Sequence, residues 1–127
     1  MTPSYDFPRS ARLVRSGQFA RVYRSGLRCK CFPLYVRALP KDNGESRLGL
    51  SVGKKTGKAV VRNRWKRAIR EAFRKNRHRL NRPHDLVVAV DWDATAEDVD
   101  AVEDAFLNLV EYLNGRSRVI LLSNATK

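Results

Sequence analysis

Between Lys54 and Arg82 lie thirteen lysines and arginines against one acid, Glu71. Such side chains break no bonds themselves. Their chemistry is the neutralisation of phosphate, by lysine as a point charge and by arginine as a planar fork. The candidate contacts are Lys54, Lys55, Lys58, Arg62, Asn63, Arg64, Lys66, Arg67, Arg70 and Arg74. Arg62, Lys66, Arg70 and Arg74 recur at i, i+4, where each like-charged pair costs an isolated helix about 0.2 to 0.5 kcal/mol. A solvated helix face usually alternates signs, so a run that tolerates this repulsion is expected to meet a polyanion. Nucleic acid fits that description better than an idle basic face or an anionic membrane.

A second kind of chemistry belongs to the aromatics. A ring offers an unpaired base a stacking surface without reading its identity, worth about 1 to 3 kcal/mol per base. Tyr23 and Tyr35 carry a polar tip and suit such contacts, whereas Phe19 stands open between core packing and contact. Gly49 and Ser51 are small residues opposite Leu48 and Leu50, and they leave room over a sheet for the first helix or for a ligand backbone. Arg15, together with Lys54 and Lys55, could follow the phosphates. The sequence offers no catalytic constellation and no metal site: carboxylates do not cluster beside His78 or His84, and Cys29 and Cys31 read as reduced structural thiols. Their spacing on a strand turns them the same way but in poor register for a mutual disulfide.

These groups need elements to position them. Val61, Trp65, Ala68, Ile69, Ala72 and Phe73 recur at helical spacing, which predicts an amphipathic helix past Gly57. Lys66, Arg70, Arg74 and Arg77, with Asn63 and Arg67 beside them, then fall on its other side. Residues 1–10, with Pro3 and Pro8, read as a lead-in. A short helix from Ser16 carries Phe19, Val22 and Tyr23 and ends at Gly26. Strand alternation over Lys30 to Pro40 and over Arg47 to Gly53, with Asp42-Asn43-Gly44 between, predicts an antiparallel hairpin. The run Leu86 to Val90, within a strand Asp85 to Val90, predicts a central strand buried on both faces. Thr95 and Asp98 form a capping-box signal for a last helix with Val99, Val102, Phe106, Leu109, Val110 and Leu113 on its apolar stripe, closed by Asn114-Gly115. Residues 116–127 are unassigned: Val119 to Leu122 could be an extra strand, a packed arm or an appended remnant.

The expectation is one α+β domain over residues 1–127, a two-layer sandwich in the order α-β-β-α-β-α with its core at about residues 9–115. A 127-residue chain with 43% hydrophobic residues can bury one modest core. The net charge of +13 is unevenly spread, residues 1–53 carrying +7, residues 54–82 +12 and residues 83–127 −6. The acidic end is expected either to face away from the polyanion or to fold back and flank it. Leu86 to Val90 is too short to span a bilayer, and the first residues lack the apolar core of a secretion signal, so a cytoplasmic protein without membrane partners is expected.

Three blocks of this chain together resemble the protein subunit of bacterial ribonuclease P. They are Phe19-x-x-Val22-Tyr23-x-x-Gly26, Gly49-Leu50-Ser51-Val52-x-Lys54-Lys55, and Arg62-Asn63-Arg64-x-Lys66-Arg67-x-x-Arg70-x-x-Phe73. The resemblance spans about residues 9 to 113 in the family's order. It implies a left-handed β-α-β crossover, against the usual right-handed rule. It further implies that the basic helix binds a catalytic RNA subunit, and that an extended 5′ leader of precursor tRNA lies in a cleft over Phe19, Tyr23 and Tyr35. Catalytic Mg²⁺ would be held by that RNA, leaving the protein without a cofactor, and the protein would promote substrate binding and metal affinity. A structural RNA-binding protein of the ribosomal type is the alternative, and it would need no leader cleft. Trp65 departs from the family's pattern, which favours an aliphatic residue there, and the tail beyond Gly115 lies outside it.

Overall fold

A computed structural model describes residues 9–115 and the backbone of 120–122. Helix α1 (Ser16–Ser25) begins where the Gln18 side chain turns back to accept from the amides of Val14 and Arg15, at 2.8 and 3.0 Å. That contact satisfies donors the helix cannot pair internally. The helix ends at Gly26, where a Cβ would stand 2.6 Å from the Val22 carbonyl oxygen and 3.3 Å from the Ala38 backbone. Close approach, rather than a left-handed backbone, makes glycine necessary there.

The alternating run expected from Lys30 to Pro40 is broken. Strand β1 (Leu27–Cys31) and strand β2 (Leu34–Pro40) form an antiparallel hairpin around Phe32-Pro33, with Cys31 opposite Leu34. Pro33 has no N–H to give a ladder, so the strand cannot run through it. Strand β3 (Arg47–Ser51) consequently does not form the expected hairpin with β2. Between them lies β4 (His84–Val90), antiparallel to β2 and parallel to β3, and with a fifth short strand, β5 (Ile120–Leu122), the full order is β3-β4-β2-β1-β5. The β1–β2 turn occupies one side of β2, and the most apolar strand takes the other. Thus β4 is interior, as its composition demands, but the middle strand is β2. The short β5 (Ile120–Leu122) pairs antiparallel with β1, which gives the backbone of that part of the tail a place at the sheet edge.

Parallel neighbours need a crossover, supplied by the 18-residue α2 (Ala59–Asn76). This β3-α2-β4 passage is the unit to which the resemblance assigns its left-handed turn. Helix α2 and α3 (Val102–Leu113) share one face of the sheet, where Trp65, Ile69, Phe73, Phe106 and Leu109 meet Leu34, Val36, Leu86 and Val88. Phe73 and Phe106 cross edge to face, 6.2 Å between centroids. Trp65 is 1% exposed, so its departure from the family's aliphatic pattern is absorbed inside this core. The Thr95–Asp98 capping box forms, but a 3-10 segment (Ala96–Ala101) precedes α3. Cys29 and Cys31 are buried free thiols on the same core face, and burial raises both, to about 12 and about 11 respectively.

On the opposite face a smaller cluster joins Leu13, Phe19 and Val22 to Leu39 and Val87. Helix α1 covers only part of that face. The carboxylate of Asp85, at the strand end, accepts both forks of Arg47 at 3.0 and 2.7 Å and faces the Lys41 ammonium at 3.2 Å. Burial opposes the ionised form, yet the bonds from Arg47 and Lys41 prevail and hold its pKa below the usual carboxylate value.

Candidate nucleic-acid interface

Across the partly covered face, strand register lines side chains into rows. One row runs Gly49, Val87, Arg37, Arg28 and the next runs Ser51, Ala89, Tyr35, Lys30. Helix α1 crosses the first row. At one end Phe19 lies on Gly49 so closely that a Cβ there would stand 2.7 Å from its ring; at the other, Arg37 lies 5.2 Å from the Tyr23 centroid and donates to the Tyr23 carbonyl oxygen at 2.6 Å. Of the two occupants left open at Gly49, the helix is the one found. Ser51, Ala89 and Tyr35 form the neighbouring row, with α1 as a wall.

Tyr35 is half-buried, and its hydroxyl accepts from Arg28 at 3.3 Å. Tyr23 is exposed at the far end of the wall. Lys30 belongs to the same row and pairs with Asp91 at 3.5 Å. Arg28, Lys30 and Arg37 are not among the residues that the sequence singles out as contacts. Their alternation with Cys29, Cys31 and Val36 carries the signal, since it puts every second side chain on the face away from the core.

The cations of α2 divide between two flanks. Lys66 and Arg70 line a hollow of about 360 Å³ with Phe19, Arg12, Leu13 and Leu50. Asn63, Arg64 and Arg67 line another of about 680 Å³ with Val60, Val99 and Asp100. The acidic end of the chain has thus folded back to flank the basic helix. Arg64, Lys66, Arg67 and Arg70 form no ion pair among the described residues, whereas Arg74 is held by Glu71 at 2.6 Å and Arg77 by Glu45 at 3.2 Å. Hydrogen bonding to Arg74 lowers the Glu71 pKa. Arg62 donates to the Gly57 carbonyl oxygen at 3.2 Å and fastens the loop ahead of α2, where Gly57 has φ +138°.

Lys58 stands exposed at the N-cap position of α2 without a capping side-chain bond, and Lys54 and Lys55 stand exposed on a 3-10 turn (Lys54–Thr56) after β3. Arg15 is placed apart from the Tyr35 row: it lines a hollow with Ser10, Arg12, Gln18 and Arg47. That hollow shares Arg12 and Val14 with the one holding Lys66 and Arg70, so cationic surface continues around the start of α1. No group of three or more His, Cys, Asp or Glu is placed to hold a metal among the described residues, nor is any helix there long and apolar enough to cross a membrane. What this surface can do is bind: unpaired cations for phosphates beside an open, aromatic-bearing sheet face.

The family model described as Ribonuclease P matches residues 7–114. The ribonuclease P protein component of Dictyoglomus thermophilum is 38% identical over 112 residues, covering 84% of this chain and 91% of that protein. Its counterpart from Clostridium acetobutylicum is 36% identical over 102 residues, 77% of this chain and 84% of the relative. Among solved structures, the RNase P protein of Staphylococcus aureus superposes with a TM-score of 0.69 at 28% identity, covering 84% of this chain and all of the other. That of Thermotoga maritima also gives 0.69, at 30% identity over 80% and 96% of the two chains.

Proposed function

The chain belongs to the ribonuclease P protein family, and from that premise we propose that it binds a catalytic RNA subunit through α2 while the open sheet face holds the 5′ leader of precursor tRNA. The observation that carries this reading is the adjacency of two surfaces: cations unpaired among the described residues, and a sheet row walled by α1 that bears Tyr35, next to the row in which Arg37 meets Tyr23. Arg64, Arg67 and Asn63 on one flank face the RNA subunit. Lys66 and Arg70, sharing a hollow with Phe19, stand where subunit and leader would meet. Phosphate contacts position both RNAs without reading sequence, and stacking tolerates any base. An enzyme that trims many tRNAs needs that tolerance.

In this reading the protein contributes no hydrolytic group. The RNA subunit holds the Mg²⁺ ions that activate water, and the protein raises their effective affinity by lowering the repulsion between two polyanions. Subunit and substrate would be met in the cytoplasm. The test compares the assembled ribonucleoprotein on precursor and mature tRNA. Replacing Tyr23 and Tyr35 together by Leu is expected to weaken precursor binding while leaving mature tRNA nearly unchanged. Equal losses for both substrates would place the leader elsewhere.

A further inference from the structure

Trp92 stands just beyond β4 and is 78% exposed, the largest bare apolar side chain among the described residues. Its turn is tightly bonded: Asp91 N–H donates to the Pro33 carbonyl oxygen at 2.9 Å, Ala94 N–H to the Asp91 carbonyl oxygen at 3.1 Å, and Asp93 N–H to the Asp91 carboxylate at 2.9 Å. The indole is therefore presented from a fixed backbone. Lys55 places its ammonium 3.9 Å from the ring centre, a cation–π contact that takes one face and, at this exposure, leaves the other bare.

Between this ring and the Lys54–Thr56 turn lies a cavity of about 570 Å³, lined by Ser51, Ala89 and Ala94 together with Lys54, Lys55 and Trp92. Its volume is that of a small-molecule site, and its small side chains leave a flat object room to enter. Two of those residues, Ser51 and Ala89, belong to the Tyr35 row, so the cavity continues the open sheet face. From Tyr35 to Ser51 is two strand spacings, about 10 Å. Asp91, the acid among the lining residues, is already paired with Lys30, which leaves Lys54 and Lys55 to set the local charge.

We propose that this cavity is a further nucleotide subsite, in which Trp92 stacks on one unpaired base of the leader a few nucleotides along from Tyr35, while Lys54 and Lys55 hold the flanking phosphates. The subsite rests on the reading that the open row holds the leader. It assigns to Trp92 a role in leader binding that neither the basic helix nor the Tyr35 row supplies.

The test uses the full chain assembled with a bacterial ribonuclease P RNA, and measures equilibrium binding of a precursor tRNA and of the matching mature tRNA. Trp92→Ala is expected to weaken precursor binding about 5- to 150-fold, the equivalent of one base stacked on an aromatic ring, with mature tRNA unaffected. Trp92→Phe should restore most of the affinity. One abasic position in the leader should lower wild-type affinity similarly and leave the Trp92→Ala complex insensitive. In Trp92→Ala the remaining indole, Trp65, is buried, so its emission reports an intact core. Precursor binding unchanged by Trp92→Ala would overturn the subsite alone, as would an equal loss with mature tRNA, which would assign the ring to another RNA surface. A wild-type complex that fails to distinguish precursor from mature tRNA would instead overturn the leader reading beneath it.

Discussion

Asp85 illustrates how single residues fix the platform on which the interface is built. It is 2% exposed and bonded to Arg47 and Lys41 on neighbouring segments. Removing it would strand two partly buried cations, so Asp85→Ala is expected to destabilise the fold by about 3 kcal/mol, measured by denaturant unfolding at neutral pH. Next to it, burial lowers the pKa of His84, whose Nδ1 lies 2.8 Å from the Arg82 carbonyl oxygen. Because that oxygen can only accept, Nδ1 carries the proton of the neutral ring. A depressed folded pKa means that the unfolded chain binds the proton first. The stability linked to neutral His84 is full above the unfolded value of about 6.5 and is lost as pH falls through the folded pKa. Asp85 has the same sign at lower pH, below about 3.9. Unfolding free energy should therefore decline on acidification, and His84→Asn should flatten the first part of that decline.

The elements differ in how plainly the sequence announces them. Helix α2 was legible because Trp65, Ile69, Ala72 and Phe73 obey one period; the end of α1 at Gly26 and the Thr95 capping box were legible from local chemistry. The pairing of β3 was not. Its alternation suits either neighbour, and choosing β4 over β2 depends on the distant apolar run at Leu86 to Val90 and on the break at Pro33. Candidate site residues were legible as types but not as neighbours: α2 sends Lys66 and Arg70 to one flank and Arg64 and Arg67 to the other, and the Phe19 ring packs closely on Gly49. Two outcomes belong at this scale. Gly49→Ala should displace Phe19 and Leu13 and destabilise the domain by about 1 to 3 kcal/mol through overpacking, as read from its thermal transition. Alanine at Arg64 or Arg67 should weaken association with the RNA subunit across all sequences and reduce the salt slope by about 0.7 to 1 for each phosphate no longer neutralised. Unchanged slopes in both variants would remove that flank from the interface.

At the scale of the molecule, charge and shape divide the labour. The acidic segment after β4 packs α3 against α2 and borders one flank of the basic helix with Asp100, so phosphates are steered along defined paths rather than over the whole surface. The other sheet face stays partly bare because one ten-residue helix cannot cover five strands. In the function proposed above, the protein binds two RNAs and leaves hydrolysis to one of them. The measurement that bears most directly on this is precursor tRNA cleavage across a Mg²⁺ titration by the protein alone, by a bacterial ribonuclease P RNA alone, and by the two combined. The expected result is no cleavage by the protein, cleavage by the RNA at high Mg²⁺, and cleavage by the combination at markedly lower Mg²⁺. Robust leader removal by RNA-free protein, or a Mg²⁺ requirement that the protein does not change, would contradict the account.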